Sequence, residues 1–158
     1  MAAQKVLKKI FGIGPVGAAA SLCLLAFFLW ADATFTLTIA IDHAGVLKTF
    51  GVLLMALGFG LHCWSFSTLR SWWIDDQLCT KGPFRYVRHP MYAAWITFIC
   101  PGAALYLNSW WCLFWVLLVH VLWHQLVKKE EKIMLATFGD AYREYAERTG
   151  RFFPVKLG

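Results

Sequence analysis

Apolar positions gather in four long blocks, Ile10 to Ala31, Thr49 to Leu69, Met91 to Leu107 and Trp110 to Val127, with short polar segments between them. A hydrocarbon layer of about 30 Å needs roughly 20 apolar residues of helix. The pattern therefore predicts an all-α membrane protein: one integral domain, residues 1–158, with four transmembrane helices (about 10–31, 49–69, 91–107 and 110–127). Asn108-Ser109 alone joins the third and fourth blocks, which predicts an antiparallel helical hairpin at the C-terminal end of the bundle. Beyond Val127 the pattern changes. Met134, Phe138, Tyr142 and Tyr145 recur at helical spacing with Lys, Arg and Glu between them, so residues 128–158 read as an amphipathic helical tail. Gly139-Asp140 interrupts that tail, with Asp140 as the expected N-cap of its second piece, and Gly150 then Pro154 end it.

Composition agrees with this reading: 59% of residues are hydrophobic, 15% are charged and nine are tryptophan, a balance that a soluble core does not have. The charge then orients the bundle. On a four-span arrangement every Lys and Arg except Lys48 falls on one side, and the positive-inside rule places that side, with both termini and the loop 70–90, in the cytoplasm. The net charge of +6 is accordingly a topology signal. Nucleic-acid binding is disfavoured, because the cations flank apolar spans and form no separate basic domain. The first block, with lysines before it and Ala31-Asp32-Ala33 after it, imitates a secretory signal. Its apolar run exceeds the usual ~7–15 residues, which favours an uncleaved span. The five cysteines show no CxxC; four lie within spans as small apolar residues, and Cys79 lies in the loop.

Polar groups inside the spans are few. Gly51, Gly58 and Gly60 on the second span suit close helix packing, or a ligand approaching the backbone. His62 is a buried ionisable residue whose ordinary role is a hydrogen bond to a neighbouring helix. His120, His124 and Gln125 lie inside the apolar fourth span, where His120 and His124, four apart, share a face; these polar groups should look into the bundle. Zinc would need further ligands than these, so no metal is expected. Trp72 and Trp73 stand at the interface, followed by Asp75, Asp76 and Gln77, which are either solvated or bonded to a ligand.

The stretch Leu78 to Trp95, LCTKGPFRYVRHPMYAAW, is the one turn-forming, cationic passage. Lys81-Gly82-Pro83 reverses the chain. His89 is pushed toward extended geometry by the proline after it, and Pro90 suits the first turn of a helix. The free N–H groups of that helix start, with Arg88 and His89 beside them, favour a carboxylate or phosphate. Glu130 and Glu131, between Lys128, Lys129 and Lys132, are either solvated or part of a site.

These residues resemble a known group. Leu78-Cys79-Thr80-Lys81-Gly82-Pro83-Phe84, Arg88-His89-Pro90-Met91-Tyr92, a helical hairpin, Glu130-Glu131, Phe138-Gly139-Asp140-Ala141-Tyr142 and Arg151-Phe152-Phe153-Pro154 are similar to the C-terminal signature of integral membrane methyltransferases, the isoprenylcysteine carboxyl methyltransferase and phospholipid methyltransferase group. The resemblance implies S-adenosylmethionine bound from the cytoplasmic side. Gln77, Leu78, Cys79 and Phe84 would surround it, with Arg88, His89, Pro90, Met91 and Tyr92 at the core and Glu130 closing the site. Two departures stand out. Ala94 occupies a place where the group usually has glycine, and Leu126 one where the isoprenylcysteine enzymes carry an arginine for the substrate carboxylate. The implied reaction is methyl transfer to a lipophilic acceptor delivered by the membrane: an isoprenylcysteine carboxylate, a phospholipid amine or a thiol. His124 and Glu131 are candidates for accepting a proton. Two alternatives stay open. Membrane sterol and steroid reductases resemble the same region and use NADPH, and a non-catalytic protein could hold lipid headgroups on its cationic loop.

Overall fold

The structure is a computed structural model that describes residues 13–35, 44–72 and 77–154, and among these residues the regular elements are all helices, without strands. Four helices are long and apolar enough to cross a membrane: α1 (Gly14–Phe35), α2 (Ala44–Trp72), α3 (Pro90–Leu107) and α4 (Trp110–Phe138). A fifth, α5 (Asp140–Arg148), is short and amphipathic.

Several features differ from the sequence reading, and α2 runs over Ala44–Trp72 where residues 49–69 were expected. Asp32, just beyond the end expected for the first span, lies within α1 and accepts a 2.6 Å hydrogen bond from the Ser109 hydroxyl. Residues 36–43, which join the first two spans, are outside the described residues. The fourth helix does not stop near Val127. Lys and Glu are good helix formers, so the change from apolar to charged residues alters what the helix faces without ending it. It runs to Phe138, where Gly139 adopts φ 55°. Asp140 does not cap α5 with its side chain; Gly139 is the capping residue, and Asp140 instead pairs with Arg143 at 2.9 Å.

The helices meet through small residues and a few polar anchors. A methyl group at Gly51 would lie 2.5 Å from the Gly102 carbonyl oxygen, and one at Gly58 would lie 2.8 Å from Phe98 Cβ and Ile99 Cγ1. The α2 and α3 backbones therefore touch only because these side chains are absent. Gly17 admits the Trp123 ring in the same way. Beside it, Trp123 donates to the Ser21 hydroxyl at 3.0 Å and Trp115 donates to the Ser21 carbonyl at 2.9 Å, and interhelical bonds of this kind contribute about 0.6–2 kcal/mol each in a membrane. The core they frame joins Phe28 of α1, Ala93, Ile96 and Cys100 of α3, and Trp115, Val119, Trp123 and Val127 of α4.

The middle of α3 is π-helical over Ala94–Ile99, between α-helical turns at Pro90–Ala93 and Cys100–Leu107. Pro101 lacks the N–H that would bond back to the preceding turn and crowds the carbonyl there, and a wider turn accommodates it. Asn108, at φ 53°, ends α3 in the left-handed conformation that asparagine tolerates. Ser109 then caps α4, its hydroxyl accepting from the Cys112 amide.

Candidate functional site

The loop between α2 and α3 is shaped by Gly82. Its φ of 55° suits glycine, and a Cβ there would lie 2.8 Å from the Thr68 hydroxyl. A 3-10 turn over Gly82–Arg85 follows, burying Pro83 and Phe84. The Lys81 ammonium sits 5.1 Å from the Trp72 ring centroid, fastening the loop to the end of α2. Trp73, Asp75 and Asp76 lie outside the described residues.

The C-terminal segment straps this loop down. Arg88 and His89 donate backbone N–H groups to the carbonyls of Gly150 (2.9 Å) and Arg151 (3.1 Å), and Val87 and Gly150 form a parallel bridge. The Tyr145 hydroxyl donates to the Phe84 carbonyl at 2.6 Å. Burial, followed by nearby Cys79 and Tyr142, pushes the Tyr145 phenol above its ordinary range. Burial likewise raises the Cys79 thiol, an effect partly offset by Lys81. Both groups stay protonated and neutral at physiological pH.

At the end of the loop stands Arg88, which the sequence reading set beside an anion site. Its guanidinium donates to Glu131 Oε1 at 3.0 Å, to the Ala146 carbonyl at 2.9 Å and to the Thr149 carbonyl. The last two are carbonyls at the C-terminal end of α5, where a cation satisfies unpaired acceptors. Arg151 holds the same carboxylate, its Nη2 lying 2.5 Å from Glu131 Oε2. Glu131 is thus clasped by two guanidinium groups, its side chain 15% exposed. Arg151 figured in the sequence only as a cation and a place in a terminal motif; no local pattern announces a partner on another helix.

His89 is buried, with Nε2 3.5 Å from Glu131 Oε1 but outside hydrogen-bond geometry, so that this nitrogen has no hydrogen-bond partner. Its ring stacks on Tyr92 (centroids 5.6 Å, planes 8° apart) and meets Phe152 edge-on. Tyr92 in turn packs on Trp123 at 4.6 Å and donates its hydroxyl to Glu130 Oε2 at 3.1 Å. The structure therefore brings His89, Pro90, Tyr92, Glu130 and Glu131 together where α3 begins and α4 leaves its apolar section. Met91 is half-buried beside them; Phe84 and Cys79 are buried in the loop, Leu78 half-buried, and Gln77 exposed. His124 stands one turn and a half before Glu130 and meets Phe152 edge-on at 4.7 Å. Gln125 is exposed and bonded to Lys128, so it does not line the bundle interior as its position suggested. His62 Nδ1 is buried without a hydrogen-bond partner. Gly58 is filled by neighbouring α3 residues, whereas Gly60 meets nothing within 4 Å.

This arrangement offers a buried, unpartnered imidazole nitrogen, an aromatic wall and a carboxylate held by a phenol. Such a set fits a ligand with an amine, hydroxyls or a sulfonium centre. The family model for phospholipid methyltransferases matches residues 46–141, more than half of the chain. No curated protein and no solved structure matches it.

Proposed function

The chain belongs to the phospholipid methyltransferase family, and on that premise we propose that it transfers a methyl group from S-adenosylmethionine to a lipophilic acceptor reaching the site from the bilayer. The single observation that carries this reading is the convergence on Tyr92: His89 stacked on its ring and Glu130 accepting from its hydroxyl. His89, Pro90, Met91 and Tyr92 would form the heart of the donor site. Gln77, Leu78, Cys79 and Phe84 supply the loop that covers it, and Glu130 takes its hydroxyl or amino groups. Arg88 acts through Glu131 and the α5 carbonyls, as a positioning residue.

The donor, when bound, supplies a methyl already activated by its sulfonium, so the protein has to align the nucleophile and exclude water. An ammonium acceptor would first have to lose a proton to a residue of this chain. Glu131, held by two guanidinium groups, is a poor proton acceptor; its role is to tie Arg88 and Arg151 together. His124 is left as the proton-accepting candidate, on the aromatic side of Phe152. With Leu126 where a carboxylate-binding arginine would stand, a phospholipid amine suits this chain better than a prenylcysteine carboxylate. We place the whole chain in one integral membrane unit with both termini and the active site on the cytoplasmic face, following its cations.

Titration calorimetry tests the donor. Purified protein should bind S-adenosylmethionine and ignore NADPH, and His89→Ala or Glu130→Ala should weaken binding by at least about tenfold, the loss expected when a hydrogen bond to a charged group is removed. Folded wild-type protein that binds no S-adenosylmethionine would remove the proposal, and binding of NADPH alone would favour the reductase reading.

A further inference from the structure

On another face of α4, away from Tyr92 and Glu130, an open groove of about 390 Å³ runs between α4 and α5. Lys128, Glu131, Lys132 and Leu135 line it from α4, and Tyr142, Arg143 and Ala146 from α5. Its position in depth follows from helix geometry. From Trp110 to Lys128, α4 rises about 27 Å at roughly 1.5 Å per residue, close to a hydrocarbon thickness of about 30 Å. Lys128 and the groove beyond it therefore lie where lipid headgroups lie.

The groove's chemistry has two parts. Leu135, Ala146, the Tyr142 ring and the lysine stems make apolar walls, and long cationic side chains on such walls carry their charge to the rim. The remaining acid, Glu131, is occupied by Arg88 and Arg151. Arg143 also meets Asp140, but that pair is 65% and 86% exposed and only weakly held in water. Lys128 donates to neutral Gln125. Tyr142 is 4% exposed, and its hydroxyl has no hydrogen-bond partner. The groove is thus a net cationic rim over an apolar wall, with an unsatisfied donor beside it.

We propose that this groove holds the headgroup of an anionic phospholipid, its phosphate between Lys128, Lys132 and Arg143 and its glycerol and acyl chains toward the bilayer, on the Lys128 side. The proposal does not rest on the identity of the methyl acceptor; the groove shares only Glu131 with the clasp at Arg88 and Arg151. Native mass spectrometry of the detergent-purified full chain tests it, with dioctanoyl phosphatidic acid, dioctanoylglycerol and inorganic phosphate as probes. Wild type should retain phosphatidic acid in preference to the diacylglycerol. Each surface cation contributes about 1 kcal/mol to such binding, so Lys132→Ala with Arg143→Ala should cut retention by roughly tenfold or more. Both residues are exposed, and an unchanged melting temperature and unchanged S-adenosylmethionine binding would establish that the fold and the donor site survive. Tyr142→Phe should lower retention by a few-fold. Equal retention by wild type and the double variant overturns the proposal, as does equal retention of the uncharged diacylglycerol. Displacement of the lipid by inorganic phosphate at the same concentration would overturn the lipid assignment in favour of a soluble anion.

Discussion

Tyr92 and Glu130 are joined by a 3.1 Å hydrogen bond from phenol to carboxylate, tying the start of one span to the end of another. Tyr92 is fixed from three sides, by His89, Trp123 and Glu130, so its ring is a preorganised wall. Removing only the hydroxyl should leave that wall intact and free Glu130. Tyr92→Phe is expected to weaken S-adenosylmethionine binding by a few-fold, corresponding to about 1 kcal/mol for one hydrogen bond, while Glu130→Ala costs more. Calorimetry ranks the two. Tyr92→Phe as damaging as Glu130→Ala would make the hydroxyl itself a donor to the ligand.

Glu131 holds three elements at once: the loop through Arg88, the C-terminal strap through Arg151, and α4 itself. Replacing it with glutamine leaves two guanidinium groups facing a neutral amide in a largely buried place. Breaking such a pair costs about 3–5 kcal/mol when buried, and its partial exposure brings the expectation to roughly 2–3 kcal/mol. A thermal melt in detergent should show a large fall for Glu131→Gln. A melting temperature equal to wild type would mean that the clasp contributes nothing to folding.

Much of this was legible from local chemistry, and the illegible part has a common cause. Pro90 begins α3 because a helix start tolerates a missing N–H, and Gly82 and Gly139 mark the places where φ turns positive; each signal lies within a few residues of its effect. The four apolar helices follow from run length alone. By contrast, Arg88 read as an anion-site residue because nothing nearby reveals that its partners are Glu131, Ala146 and Thr149. Asp32 looked like loop because an acid beside an apolar run is usually solvated, whereas here Ser109 from the far hairpin donates to it. The π-helical turn of α3 escaped for a different reason: Pro101 announces a disturbance without stating its form.

The glycines of α2 permit a paired test of packing against ligand access. At Gly58 a methyl group collides with Phe98 and Ile99, whereas at Gly60 it meets nothing. Gly58→Ala should therefore destabilise the bundle by about 1–3 kcal/mol, the usual cost of overpacking. Gly60→Ala should be neutral, or stabilising by up to about 1 kcal/mol through helix propensity. Melting temperatures of the two variants decide it. Equal effects would contradict the packing role given to Gly58.

Alkaline pH should loosen the strap, and the sign follows from burial. Tyr145, Tyr142 and Cys79 all have pKa values raised above their ordinary 10.0, 10.0 and 9.0, chiefly by burial. An acid whose folded-state pKa is raised binds its proton more tightly in the folded chain. Its contribution is complete below the unfolded value and is lost as pH rises through the window above it. Stability should therefore be flat around neutrality and decline from about pH 9 upward. Tyr145→Phe removes the bond to the Phe84 carbonyl, so it should start lower by about 1 kcal/mol yet decline less steeply, having one titrating phenol fewer in the strap. Melting temperature against pH for both proteins measures this. Parallel curves would show that Tyr145 ionises freely and that its hydroxyl does not hold the loop.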